Sequence, residues 1–293
     1  MPAERQGLAL RVLRFPVTLI VIEAVVFGVI GLPLDSIPLI VGNRVSGPIL
    51  LLGMVVALVI FILLWKAFRR WVEGQRDREF ELTSSSAPEA GAGLLAGFAL
   101  FCLMTGLVAL LGGIAVTGVR SFGATQFWIW AALGLASGIV EETLFRGILL
   151  RQLERLVGTW WALALTSILF GALHLTNPDA TWAGALGIML EAGILLGAAY
   201  LYTRRLWLAA GMHAAWNFTQ AWVFSVPVSG TGETIGILAT ERHGPEWLTG
   251  GKFGLEASAA AVVVATGAGL LLLWGAWRKG GFVAPIWQRP RAA

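Results

Sequence analysis

The chain is dominated by apolar runs of about the length that crosses a lipid bilayer. An α-helix rises about 1.5 Å per residue, so roughly 20 apolar residues span the hydrocarbon core. Eight stretches approach or exceed that length, with expected bounds 15–32, 47–67, 91–117, 127–150, 159–175, 182–203, 206–225 and 255–277. A backbone in hydrocarbon must satisfy its polar groups internally, so repeated runs of this kind predict an all-α polytopic membrane protein of about eight transmembrane helices. Composition agrees. Of the 293 residues, 57% are hydrophobic and only 13% charged, against roughly 25% charged in ordinary soluble domains. Mean hydropathy is +0.77.

The formal net charge of +4 could signal nucleic-acid binding, but the placement of the basic residues fits membrane topology better. With the N-terminus inside, sixteen Lys and Arg fall on cytoplasmic segments, from Arg5, Arg11 and Arg14 to Arg289 and Arg291. Only Arg44, Arg120, Arg242 and Lys252 fall outside. This asymmetry predicts both termini in the cytoplasm, and a plasma-membrane location if the source is bacterial. The basic N-terminal residues followed by an apolar stretch read as a retained first span rather than a cleavable signal. Cys102 is the single cysteine, which rules out an intramolecular disulfide and a cysteine zinc cluster. No glycine-rich nucleotide loop appears, so neither nucleic acid nor nucleotide is an expected partner. The expected division is 1–126, N-terminal helices and a charged cytoplasmic linker at 68–90 with a short surface helix; 127–225, a catalytic core; and 226–293, an outer loop and last helix. Residues 244–258 within that loop are expected to fold back as a cap on the outer side.

Against this background the polar residues inside the spans stand out. Each ionised side chain at mid-bilayer costs roughly 2.5–3.5 kcal/mol on insertion scales, yet EETLFR (141–146) places three on one helix. Glu142 and Arg146 are four apart on one face and are expected to pair. Glu141 points about 100° away and keeps a free carboxylate. Further on, Phe170 and His174 share one face, and so do His213 and Asn217. Counted from the cytoplasmic ends of their spans, Glu141 lies about 14 Å deep, Asn217 about 17 Å, His213 about 11 Å and His174 about 22 Å. Within a boundary error of about 4 residues these four groups converge on one cavity below the cytoplasmic surface. A carboxylate beside an imidazole can deprotonate water, and a second imidazole with an amide can stabilise an oxyanion. The same four side chains are an alternative ligand set for a divalent metal such as zinc, although the HExxH signature is missing. Glu191 is also mid-span and is expected to line the cavity or bond the Glu142–Arg146 pair. Glu23, in the first span, has no assigned partner.

The three motifs EExxxR (Glu141, Glu142, Arg146), FxxxH (Phe170, His174) and HxxxN (His213, Asn217) resemble those of the CPBP family of intramembrane proteases. That family includes type II CAAX prenyl endopeptidases and bacteriocin-processing or "abortive infection" relatives. The resemblance covers about residues 127–220. It implies a conical intramembrane cavity and a peptide or lipidated-protein substrate presented in the bilayer. It further implies Glu141 as the general base, His174 as the holder of the water, His213 and Asn217 as the oxyanion site or metal ligands, and Glu142 and Arg146 as support. Two other classes compete: a non-catalytic immunity or scaffold protein with the same cavity, and a proton-coupled transporter, since intramembrane acids also mark proton relays.

Overall fold

The computed structural model describes residues 7–289; Arg5 and Arg291, used in the topology argument, lie outside them. After a short helix α1 (Leu8–Leu13), the chain builds α2 (Pro16–Val41), α3 (Gly47–Trp71) and α4 (Ser86–Leu110). Helix α5 (Phe127–Glu142) runs into a π-helical stretch, Thr143–Leu150, and then α6 (Arg151–Leu173). Helices α7 (Trp182–Ile188) and α8 (Ile194–Thr203) are joined through a second π segment, Met189–Gly193. Helix α9 (Trp207–Phe218) ends in a third, Thr219–Val223. A single turn, α10 (Glu246–Thr249), precedes the last long helix, α11 (Ala259–Arg278).

The protein is therefore an all-α integral membrane protein. Among the described residues, six helices are long and apolar enough to cross a membrane, where the sequence suggests eight. Two features account for the difference. The expected fourth and fifth spans form one continuous run, Phe127–Thr176, broken at Gly158, whose φ of 77° and ψ of 170° are not helical. The expected seventh span has only 12 α-helical residues before its π segment. The first span is longer than its apolar run: α2 continues through Pro33 and Pro38 to Val41. Beyond the helices, β1 (Ile114–Val119) pairs antiparallel with β2 (Leu238–Arg242), a ribbon with no forerunner in the hydropathy pattern.

Small residues set the central packing. A Cβ on Gly134 would meet the Ala214 carbonyl at 2.8 Å, and one on Gly138 would meet the Ala210 carbonyl at 2.5 Å. These glycines, four apart on α5, let α5 and α9 touch backbone to backbone, as small-xxx-small pairs do between membrane helices. The contact fixes the relative height of the two helices that carry Glu142 and His213.

The linker after α3 is a folded strap rather than a surface helix; residues 72–85 are turns and extended backbone. Phe80 is fully buried and packs edge-on against Trp207 at 5.3 Å. Asp77 accepts from the indole N–H of Trp65 at 2.9 Å. Glu73 pairs with Arg69 at 2.5 Å and Arg151 at 2.8 Å, and Arg151 reaches Glu23 at 3.0 Å. Glu23 thus has a structural partner. Burial opposes the charge on Glu73, but its hydrogen bond with Glu23 and the cations Arg151 and Arg69 outweigh it and hold the carboxyl down at about 2.

The outer loop folds inward. Phe253 is fully buried and joins Phe145, Phe170 and Ile188 in one cluster. Its ring lies against Gly184, where a Cβ would meet it at 2.5 Å. The 244–258 segment therefore packs against one end of the bundle. His243 stays exposed.

Candidate active site

The four side chains picked out from sequence line one cavity of about 600 Å³: Glu141, His174, His213 and Asn217. They come from three helical stretches. Glu141 ends α5, His174 caps α6, and His213 and Asn217 lie one turn apart on α9. Two of the three π segments begin next to this constellation, right after Glu142 and two residues after Asn217, and the third contains Glu191. A π turn inserts one residue into the helical ladder and re-aims the side chains around it, a device concentrated at functional sites.

Glu142 and Arg146 form the expected pair, Nη1 to Oε1 at 2.8 Å, with side chains 0% and 2% exposed. Arg146 also donates through Nη2 to the Ala192 carbonyl at 3.0 Å, and its guanidinium lies 4.6 Å from the centre of the Phe170 ring. Through these contacts Arg146 ties the π segment to the second π segment and to α6. Glu142 has one more partner: His213 Nδ1 lies 3.0 Å from the same Oε1. The carboxylate accepts, so Nδ1 carries the hydrogen, and the tautomer this selects has its lone pair on Nε2. His174 is fixed the same way. Its Nδ1 lies 2.7 Å from the Phe170 carbonyl, which can only accept, so Nε2 again keeps its lone pair. Phe170 separates the two imidazoles, 4.8 Å from the His174 ring and 6.2 Å from that of His213. Asn217 donates from Nδ2 to Ser137 Oγ at 3.0 Å, and one amide N–H is left over.

The donor set does not suit a metal. Among the described residues no group of three or more His, Cys, Asp or Glu side chains comes together as a cation would require. Glu142 is engaged by Arg146 and His213.

The cavity is wider than the motifs. Its wall includes Asn177, Ser229, Thr231 and Glu256, from segments at the end of the bundle opposite the strap. It therefore reaches the face that the charge asymmetry assigns to the outside, beyond the shallow cytoplasmic level expected from span depths. Glu191 lines this wall, 1% exposed, and neither carboxyl oxygen has a hydrogen-bond partner. Glu256 accepts from the Ser229 backbone N–H at 2.6 Å and from its hydroxyl at 2.9 Å; burial pushes its carboxyl up against those two bonds. Leu32, Ser36 and Leu39 on α2 and Leu173 on α6 also line the cavity and are exposed on the bundle's side, so the cavity has an apolar lateral rim.

Comparison with known families fits the motif reading. Residues 123–219 match the family described as type II CAAX prenyl endopeptidase Rce1-like. This stretch is an Rce1-like domain. The Rce1-like family is one of intramembrane proteases, and the domain contains Glu141, Glu142, Arg146, His174, Glu191, His213 and Asn217. Among curated proteins and solved structures, none matches the chain. Polar wall residues also lie outside the domain, among them Ser229, Thr231 and Glu256, and Asp35 on α2, an acid missed from sequence. Asp35 lines the same cavity as Glu141, and its Oδ1 is buried without a hydrogen-bond partner among the described residues. The signal was an acid two residues after a proline at the end of an apolar run, which reads as a turn in solvent.

Proposed function

We propose that the protein is an intramembrane endopeptidase that hydrolyses a peptide bond of a membrane-associated substrate with water activated by Glu141. One observation carries this reading: among the described residues Glu141 has no cationic partner, and it shares a cavity with two imidazoles whose bare Nε2 atoms can accept hydrogen bonds from water. Glu141 takes a proton from that water as the oxygen attacks the carbonyl carbon, while His174 and His213 hold the nucleophile. The free amide N–H of Asn217 stabilises the oxyanion. Glu142 and Arg146 hold His213 and the π segment in place. In this scheme His213 orients water rather than donating to the oxyanion, because its N–H is spent on Glu142.

The substrate class follows from the cavity wall. Leu32, Leu39, Leu144, Leu149 and Leu173 favour a peptide with a lipidated or long apolar side chain that enters from the bilayer. With both termini in the cytoplasm, the loop-lined end of the cavity faces the other side of the membrane. Cysteines introduced at Thr231 and at Arg78, in a Cys102→Ser background, separate the two orientations: an impermeant thiol reagent labels intact cells at 231 and not at 78. The reverse pattern inverts the topology.

The activity test uses protein in nanodiscs with libraries of lipidated and unlipidated membrane peptides, with and without chelator, beside Glu141→Gln. Cleavage that survives chelation and is lost in Glu141→Gln supports the scheme. Tight peptide binding with no product supports a non-catalytic relative instead.

A further inference from the structure

The cavity wall is one-sided in charge. Among the described residues it carries four carboxyls, Asp35, Glu141, Glu191 and Glu256, and no lysine or arginine. The proposed hydrolysis uses Glu141 and leaves Glu191 and Glu256, at the loop-lined end, without a task. Glu191 lies in the π segment Met189–Gly193, lines the cavity and is 1% exposed, and neither of its oxygens has a hydrogen-bond partner among the described residues. Glu256 is equally buried and is held from one side: the backbone N–H and the hydroxyl of Ser229 both donate to Oε2, at 2.6 and 2.9 Å, so Oε1 is not used by them. Helix α7 brings the two acids together. A Cβ on Gly187 would meet the Glu256 carbonyl oxygen at 2.8 Å, and Glu191 is four residues, about one turn, beyond Gly187 on the same helical run. Arg146, which donates to the Ala192 carbonyl, is committed to Glu142. An acid with a structural task draws a cation from its own chain, as Glu23 does with Arg151 at 3.0 Å. An unpartnered acid inside a span is costly and marks a place where something else binds or passes.

We propose that Glu191 and Glu256 form a cation subsite at the loop-lined end of the cavity, which binds a protonated amine or a guanidinium of the substrate peptide. This rests on the peptidase reading and narrows its substrate: the apolar or lipidated part lies against the leucines of the lateral rim while a basic group reaches the two acids. The cation supplies the donors that Glu191 lacks. An ammonium has three N–H groups, enough for Glu191 and for Oε1 of Glu256 at once, and charge-assisted bonds of this kind are about twice as strong as neutral ones. The same end of the cavity discriminates against anions. A free C-terminal carboxylate placed there would meet like charge and, among the described residues, no lysine or arginine, and like-charge juxtaposition is how a site rejects the wrong ligand. A lysine side chain, an arginine side chain and a free N-terminal amine share the required chemistry, and the test separates them.

The test uses the full chain in nanodiscs and fluorescent membrane peptides in which a single position, stepped along the sequence, is norleucine, lysine, Nε-acetyl-lysine, arginine or glutamate, each with a free or an acetylated N-terminus. Lysine at one position should raise kcat/KM by about 10–100-fold over norleucine, the range for hydrogen bonds to a charged group. Acetylating that lysine should remove the gain, and glutamate there should fall below norleucine. A gain that follows the free N-terminus instead assigns the subsite to the terminal amine. Glu191→Gln, which keeps the shape and removes the charge, should bring the ratio of basic to neutral peptide close to one, and Glu256→Gln should lower it. The acetyl-lysine comparison is made on the wild type, so it decides even where a variant folds poorly. Binding to Glu141→Gln, read by fluorescence anisotropy, needs no turnover and should show the same preference, lost when Glu191→Gln is added. Cleavage with equal rates for charged and blocked amines at every position, or a preference that persists in Glu191→Gln, overturns the subsite and keeps the peptidase reading. A wild-type protein that cleaves no peptide but binds basic ones through Glu191 keeps the subsite and removes the peptidase reading.

Discussion

Two groups of acids lie inside this bundle, and they are built in opposite ways. At the strap, Glu23, Glu73 and Glu79 surround Arg69 and Arg151, and every carboxylate has a cation within 3.4 Å. In the cavity, Asp35 keeps a buried Oδ1 without a partner among the described residues, and Glu191 has none on either oxygen, while Arg146 nearby is committed to Glu142. A buried charge without a partner costs several kcal/mol. The strap offsets that cost and gains a fixed connection. The cavity leaves it standing, which is the condition under which an acid remains free to exchange protons.

The sharpest break in the comparison comes from a matched pair of variants. Glu141→Gln should reduce cleavage by about 10²–10⁴-fold with no loss of thermal midpoint. Arg151→Ala, which strands Glu23 and leaves Glu73 with Arg69 alone, should instead cost about 3–5 kcal/mol and appear as low folded yield in detergent. If Glu141→Gln unfolds the protein, the cavity acids are structural after all. Next, Glu191→Leu should raise the thermal midpoint, since it removes an unpartnered buried acid worth about 1–3 kcal/mol, whereas Glu23→Leu should lower it. A drop with Glu191→Leu would reveal a partner for that acid. The smallest effect concerns pH. The carboxyl of Glu73 is held down at about 2 against an ordinary 4.5. Its contribution is complete above pH 4.5 and is lost as pH falls toward 2. Limited proteolysis by an acid protease should therefore begin to cut within 72–85 over that interval, before the helices are cut.

Much of this was readable in the sequence because hydropathy and i,i+4 spacing are local signals. They gave the spans, the Glu142–Arg146 pair and the free face of Glu141. They also placed His174, His213 and Asn217 toward a common space. What escaped them depends on contacts between distant segments. Asp35 was lost because Pro33 ends the apolar run, while the helix itself, packed on its neighbours, continues to Val41. Glu23 found its partner 128 positions away in Arg151. The strap reads as a polar linker because its many charges do not reveal that Phe80 anchors it in the core. The role of His213 turned on which ring nitrogen meets Glu142, a matter of helix height set by Gly134 and Gly138.

The leucine-lined gap between α2 and α6 has an implication for measurement. In a bilayer, acyl chains reach that opening before any peptide does, so each substrate must first displace lipid. Chain length and saturation then act as competitors, and the same protein should show different apparent affinities in short-chain and long-chain nanodiscs while its turnover at saturation stays the same.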